Sequence, residues 1–404
     1  ANNSMLTISN ISVVETLRKF KKVDLSVCFL VPTETGLNKS IMDATKSLRE
    51  YFSKYEIHDF EKQPKGMQSK VLLSTILISG NAIIETKTSL YRPETKNGDP
   101  RIWIYKLGDY AQAGDLISFS SSNGIIIAVN CSKSNLDDLL NKNSINFSKY
   151  FANSINSLSK NANELLHRLK EISSKGYIKT LRAGDTGVGF TLESLLDIPA
   201  NSNKSPDFKG IEIKSSRKKF QKSSGRSTIF SQVPNWKISR LKGSKEILFT
   251  RGKFHEQKKR MQLFHEFSAL KINSYNMKLL LDHNKDLLHQ IYVKDESSVI
   301  DVTWEIEVLK RRLREKHKET FWVSAMTKGK NGDVNEEFLF SEVKHTGEVD
   351  FNIFPTLIET GVITLDYTIK EAKKNVAKDQ GYLFKISSKN LDLLFSKISH
   401  YSLA

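Results

Sequence analysis

Apolar and polar residues alternate in short runs through the first third of the chain. Segments 23–31, 71–78, 101–105 and 124–129 each predict a β-strand, because successive strand side chains point to opposite faces. A helix is expected at about Lys39 to Tyr55, so residues 1–131 are expected to form a mostly β N-terminal domain with one or two helices. The period then changes. Leu136, Leu139, Leu140, Phe147, Phe151, Leu158, Leu165, Leu169 and Ile172 recur at helical spacing among Ser, Asn and Lys, which predicts a helical connector over 132–180 closed by Gly176. Residues 181–404 mix both periods, with a basic amphipathic helix expected from Trp304 to His317 and a core strand over 321–326. The pattern as a whole predicts an α/β (α+β) chain with no internal repeat.

Charge narrows the choice of partner. The 404 residues carry 62 Lys and Arg against 45 Asp and Glu, a formal net charge of +17. A balance this basic favours a polyanion such as nucleic acid over acidic small molecules. No apolar run approaches a membrane span and no secretory leader pattern opens the chain, so no membrane partner is expected. Cys28 and Cys131 are the only cysteines and have no metal-ligand spacing, a usage that fits a reducing cytoplasm. The histidines lack zinc-peptidase spacing, and there is no phosphate-binding Gly-rich Lys motif, so ATP is not expected as a partner.

The candidate chemistry lies in Pro206-Asp207 followed by Glu212-Ile213-Lys214. On a strand, Glu212 and Lys214 share one face while Ile211 and Ile213 take the other. Asp207 precedes that strand, where the chain can bring its carboxylate beside Glu212. Two hard carboxylates with a backbone carbonyl suit Mg²⁺, and a neighbouring ammonium can hold or deprotonate a water. The same triplet can also be an ordinary solvated strand edge. Upstream, the Gly-rich segment from Thr186 leads into a short helix with Leu192, Leu195 and Leu196 on one side and Glu193 away from the centre of that stripe. Downstream come Arg217, Lys218, Lys219, Lys222 and Arg226, with no acidic residue among them, as a polyanion substrate requires.

Taken together, Gly189-Phe190-Thr191-Leu192-Glu193, Pro206-Asp207, Gly210-Ile211-Glu212-Ile213-Lys214, Ser227-Thr228-Ile229-Phe230 and Pro234 resemble the MvaI/BcnI-type restriction endonucleases, MutH-related members of the PD-(D/E)XK nucleases. Segments 357–366 and 378–386 are similar to that family's recognition lobe, so the likeness covers about the last 220 residues, 181–404. The resemblance implies a PD-(D/E)XK catalytic domain behind the N-terminal β domain and the connector. It implies Asp207 and Glu212 as metal ligands, Lys214 as the residue that positions the attacking water, and Glu193 as a supporting carboxylate. It further implies a type II, sequence-specific, Mg²⁺-dependent endonuclease that hydrolyses double-stranded DNA to 5′-phosphate ends. Asp379 and Lys385 would then take part in reading DNA, and a cognate DNA methyltransferase acting on the same site is an expected partner. The alternative from another class is a DNA-binding sensor or regulator whose nuclease lobe stays silent until a partner or a modified base is present.

One basic turn in the first region is a further candidate. Asn97-Gly98-Asp99-Pro100 is a strong turn signal that sets Arg92, Lys96 and Arg101 among Tyr91, Trp103 and Tyr105, a composition that can enter a DNA groove or form a plain solvated hairpin tip. A DNA-reading β-barrel of the B3 type precedes the nuclease in some restriction enzymes, and the N-terminal region is loosely similar to that arrangement.

Overall fold

The computed structural model describes residues 5–199, 205–219 and 225–404. They divide into two compact units that interleave along the chain. The first holds Ala1–Ile155, Arg226–Leu313 and Asp350–Leu394; the second holds Asn156–Gly225, Arg314–Val349 and Phe395–Ala404. Both mix helices with sheets, a mixed α/β architecture. Among the described residues no helix is long and apolar enough to cross a membrane.

The first unit contains a seven-stranded sheet ordered Cys28–Leu30, Ile117–Ser122, Ile125–Asn130, Val71–Ser79, Ala82–Tyr91, Arg101–Ile104, Met42–Asp43. Its spine is the hairpin of Val71–Ser79 and Ala82–Tyr91, which reverses at Gly80 with φ 61. The helix Lys46–Lys54 covers the sheet with Leu48, Tyr51 and Phe52, packed on Leu77, Leu90, Ile102 and Phe119. The helix expected over 39–55 forms only as Lys46–Lys54, behind the strand Met42–Asp43 and an earlier short helix, Glu34–Lys39. Thr33 caps Glu34–Lys39, Ser40 ends it in the left-handed region at φ 54, and Thr45 caps Lys46–Lys54. Each threonine hydroxyl accepts an orphan amide and so restarts the helix, a local preference that outweighs the apolar period. The strand expected over 23–31 shrinks to Cys28–Leu30, because Asp24 turns the chain at φ 57. At the basic turn, Asn97 and Gly98 both adopt positive φ, as the turn chemistry requires.

Two further sheets belong to the same unit. One is five-stranded and antiparallel, ordered Arg226–Ser231, Val376–Ser387, Ile363–Lys373, Arg260–Phe267, Lys253–His255; the other runs Met277–Asp282, Leu287–Lys294, Ser297–Glu305. A fully buried carboxylate, Asp301, lies on the last of these strands. Arg251 reaches it through Nε at 2.9 Å and Nη2 at 3.0 Å, Arg240 through Nη2 at 2.5 Å, and Gln290 through Nε2 at 2.9 Å. Tyr367 in turn donates to Gln290 Oε1 at 3.0 Å. A charge so placed is tolerable only because every lone-pair direction has a donor. Arg251 is the first of several basic residues over 251–260, yet it points inward to this carboxylate. The helix expected over 304–317 forms as Ile306–Lys316, with buried Lys310 donating to Glu50 at 2.5 Å, while Trp304 is a buried strand residue.

The second unit is built on a five-stranded sheet, in which the two-residue strand Ile178–Lys179 pairs with Glu337–Thr346 beside the four main strands. The main strands are β1 (Glu212–Arg217), β2 (Thr320–Lys328), β3 (Glu337–Thr346) and β4 (Ile398–Ser402), in the order β4-β3-β2-β1, with β1 parallel to β2 at the edge. Two helices, α1 (Lys160–Ser174) and α2 (Gly187–Leu195), cover one face. Leu165, Leu169 and Ile172 of α1 and Val188 and Leu192 of α2 pack with Ile213, Phe321, Val323 and Phe340. Gly187 opens α2 where a Cβ would come within 2.4 Å of the Arg182 carbonyl oxygen, so only glycine lets the loop close onto the helix there.

Candidate active site

The spacing between Asp207 and Glu212 has a local cause. Phe208 and Ile211 exchange backbone hydrogen bonds, Phe208 N–H to Ile211 O at 2.9 Å and Ile211 N–H to Phe208 O at 2.8 Å. Between them Lys209 and Gly210 both take positive φ, 46° and 91°, as in a type I′ turn. That reversal returns the chain on itself, so that Asp207 Oδ2 accepts from the Ile213 amide at 2.9 Å. The carboxylate therefore sits against the backbone at the first residues of β1. The turn is itself fastened to α1: Lys209 Nζ donates to Glu164 Oε2 at 2.8 Å, and Asn161 Nδ2 to the Lys209 carbonyl at 3.3 Å.

Along β1 the expected alternation holds. Ile213 is buried in the core, whereas Glu212 is half-buried and Lys214 is exposed on the opposite face. Glu193 on α2 is close enough to Asp207 for the two charges to act on each other. Burial first, and then the Asp207 carboxylate, raise the Glu193 carboxyl above its ordinary range, and Arg182 works in the other direction. Arg182 is in turn stacked on Phe190 at 3.8 Å. One unit thus brings Glu193, Asp207, Glu212 and Lys214 to the same end of an edge strand and its covering helix.

The face that carries Lys214 extends across the sheet. Register places Lys214 beside Trp322, Trp322 beside Lys344, and Lys344 beside His400. Trp322 is 42% exposed, and the Lys214 ammonium lies 5.1 Å from its ring centroid. The indole is fixed from behind, donating Nε1–H to Thr346 Oγ1 at 3.1 Å. Sequence reading did not single out Trp322, Lys344, His400 or Arg182, since nothing local in their segments refers to β1.

Could the carboxylates hold a metal? Among the described residues none of Glu193, Asp207 and Glu212 takes part in an ion pair, and no group of three or more His, Cys, Asp or Glu side chains is arranged as a preformed metal cage. A site of two hard carboxylates, completed by backbone carbonyl and water, suits Mg²⁺, which keeps much of its hydration shell. It does not suit zinc, which demands a closed tetrahedral set.

The other residues expected to contact DNA are distributed between the units. In the second unit, Arg217 grips the buried Glu336 with two bonds, Nε at 2.7 Å and Nη2 at 2.8 Å, and reaches the Gly184 carbonyl at 3.2 Å. The hydrogen bond from Arg217 holds Glu336 below the usual carboxylate range, and the guanidinium ties the loop ahead of α2 to β1. Lys218 pairs with Glu342 at 3.0 Å, and Lys219 is exposed. Lys222 lies outside the described residues, as does the Lys96 side chain.

In the first unit, Asp366 receives both Arg226, at 3.0 Å, and Lys385, at 2.9 Å. Asp379 accepts from Ser244 at 2.7 Å and from the Gly381 amide at 3.0 Å. Arg92 donates to the Gly98 carbonyl at 3.0 Å, and Arg101 pairs with Asp43 at 3.1 Å.

Comparison with known proteins bears on the lineage. No curated protein matches the chain. Among solved structures, the restriction endonuclease MvaI in complex with its cognate DNA substrate is 23% identical, covering 61% of this chain and 100% of that one with a TM-score of 0.37. MvaI in the absence of DNA is 22% identical, covering 61% and 99%, with a TM-score of 0.41. The model of the MvaI/BcnI restriction endonuclease family matches residues 166–395, which run from within α1 through α2 and the turn at Asp207 to the whole of β1 to β3. More than half of the chain lies within that match, and the chain belongs to the MvaI/BcnI restriction endonuclease family.

Proposed function

We propose that this chain is a type II restriction endonuclease that hydrolyses double-stranded DNA at specific sites with Mg²⁺, leaving 5′-phosphate and 3′-hydroxyl ends. The observation that carries the reading is the type I′ turn that sets Asp207 against the Ile213 amide at the start of β1, the strand that carries Glu212 and, on its exposed face, Lys214, with the Glu193 and Asp207 carboxylates acting on each other. Asp207 and Glu212 would hold the cation, and its chemistry when bound is to polarise the scissile phosphate and favour ionisation of water. Asp207 is oriented for that task by the Ile213 amide, which uses one carboxylate oxygen and fixes the direction of the other. Lys214 projects its ammonium from the same strand, where it can position the attacking water and offset charge on the phosphate. Glu193 supports the pair from α2. The row Lys214, Trp322, Lys344 and His400 offers positive and aromatic groups along one sheet face, a surface to which a DNA backbone can lie close.

The N-terminal region, 1–131, would contribute to DNA reading, and a methyltransferase acting on the same sites would protect the host's own DNA. The purified chain incubated with unmethylated phage DNA and Mg²⁺ should yield discrete fragments whose sequenced ends share one site. DNA that is bound but left intact would instead favour a silent DNA-binding protein.

Trp322 gives a prediction at this site. A cation–π contact at an exposed position is worth about 1 kcal/mol, or roughly fivefold in rate. Trp322→Leu should lower kcat by about that factor and leave KM nearly unchanged, and Trp322→Phe should recover most of the loss. Equal kcat for the Leu and Phe variants would show that the ring does not position Lys214.

A further inference from the structure

A cleft of ≈530 Å³ opens in the N-terminal sheet, between the segment 31–43 and the strands that end at Tyr91 and begin at Arg101. That size is within the range of cavities that hold small ligands. Its lining is of two kinds. Met42 is buried beneath it and the half-buried Tyr91 stands at its side, giving an apolar floor with a flat aromatic wall. The rim carries Lys39, Asp43 and Arg101. Asp43 and Arg101 are cross-strand partners in the pairing of Met42–Asp43 with Arg101–Ile104, and that register holds the guanidinium and the carboxylate together at 3.1 Å. The Asp43 side chain is 60% exposed, so its carboxylate can accept a further bond from a ligand. Arg101 Nε is buried with no acceptor among the described residues, which leaves that guanidinium short of one partner.

We propose that this cleft receives a single nucleobase swung out of bound duplex DNA. A base is flat and partly apolar, which matches the Met42 floor and the Tyr91 wall. Its edge carries both donors and acceptors, which matches a carboxylate fixed beside a guanidinium. The phosphate flanking it is an anion, which matches Lys39 on the rim. Enzymes that hold extruded bases read them in this way, by stacking against aromatics and by hydrogen bonds to the base edge. The inference rests on DNA as the ligand of the chain, and it adds to that reading a second place of contact separate from Asp207 and β1.

The test uses the full chain in EDTA, so that cleavage plays no part. Binding is measured to two short duplexes that differ only in one mismatched base pair. Unpaired bases are cheaper to extrude, so the wild-type chain should bind the mismatched duplex at least about tenfold more tightly than the matched one. Two variants address the cleft: Asp43→Ala removes the rim carboxylate, and Thr35→Trp fills the opening from an exposed lining position. Both should bring the ratio to about one while leaving affinity for the matched duplex unchanged; the melting temperature should hold for Thr35→Trp and fall for Asp43→Ala, where the largely buried Arg101 loses its carboxylate partner. A ratio near one in the wild type, or a preference that survives both variants, would overturn the proposal. Tight binding of free dAMP by a chain with no duplex preference would also overturn it, in favour of a free-nucleotide site. Failure to bind either duplex would overturn the proposal together with the DNA reading. A mismatch preference in a chain that never cuts with Mg²⁺ would support the cleft and count against the nuclease alone.

Discussion

Asp207→Asn is expected to lose DNA cleavage by a factor of about 10³ or more while the fold and DNA binding persist. Lewis-acid stabilisation of a phosphoryl transition state is worth several kcal/mol, and each 1.36 kcal/mol is tenfold in rate. The choice of asparagine separates two roles of the same side chain. Asp207 Oδ2 accepts from the Ile213 amide, a bond that an asparagine carbonyl can keep, so the turn and the start of β1 should survive the substitution. What asparagine cannot supply is the negative charge for a divalent cation. Single-turnover cleavage of plasmid DNA across a Mg²⁺ series, beside a thermal melt, measures both. Activity within about tenfold of wild type would remove Asp207 from the site, since the loss of a metal ligand is not so mild. Asp207→Ala should be equally inactive, with a lower melting temperature because the Ile213 amide loses its acceptor.

Asp301→Ala is expected to cost about 3–5 kcal/mol of stability, the range for removing one member of a buried ion pair. Asp301 has no solvent exposure, and its removal strands the guanidinium of Arg251, which is itself 13% exposed, together with the Gln290 amide. Arg240→Ala, on the same carboxylate, should cost far less, about 1 kcal/mol or below, because Arg240 is 47% exposed and can return to water. Denaturant melts of the two variants decide the point. Equal and small losses would mean that the network is loosely held and that solvent reaches Asp301 after all. Tyr367 and Gln290 continue this network into the five-stranded sheet, so a loosened Asp301 would also be felt at the strand that carries Asp366.

Some of this local geometry was readable along the chain. Asp207, Glu212 and Lys214 lie within one turn and the strand it enters. The spacing that brings Asp207 to the Ile213 amide is set by Lys209 and Gly210, and the pairing of Glu212 with Lys214 by the two-residue period of a strand. Local rules of this kind need no knowledge of the rest of the molecule. The same is true of the strands over 71–78, 101–105 and 124–129, which form as Val71–Ser79, Arg101–Ile104 and Ile125–Asn130. It failed where two local preferences competed, as in the segment 39–55, where the threonine caps overrode the helical period.

Tertiary structure decided the remainder. Trp322 meets Lys214 only because β2 docks parallel to β1 in one register, and Arg217 meets Glu336 only because the pairing of β2 with β3 brings the residue that precedes β3 to the end of β1. Arg251, the first of several basic residues over 251–260, turns inward because a buried carboxylate on a distant strand needs a partner more than water needs the arginine. Sequence by itself determined the residue types and the local geometry that could serve a divalent cation and a phosphate, because turn and strand conformations depend on neighbours in the chain. Which charges stay available to a ligand was decided only by the fold, because long side chains choose partners by distance in space.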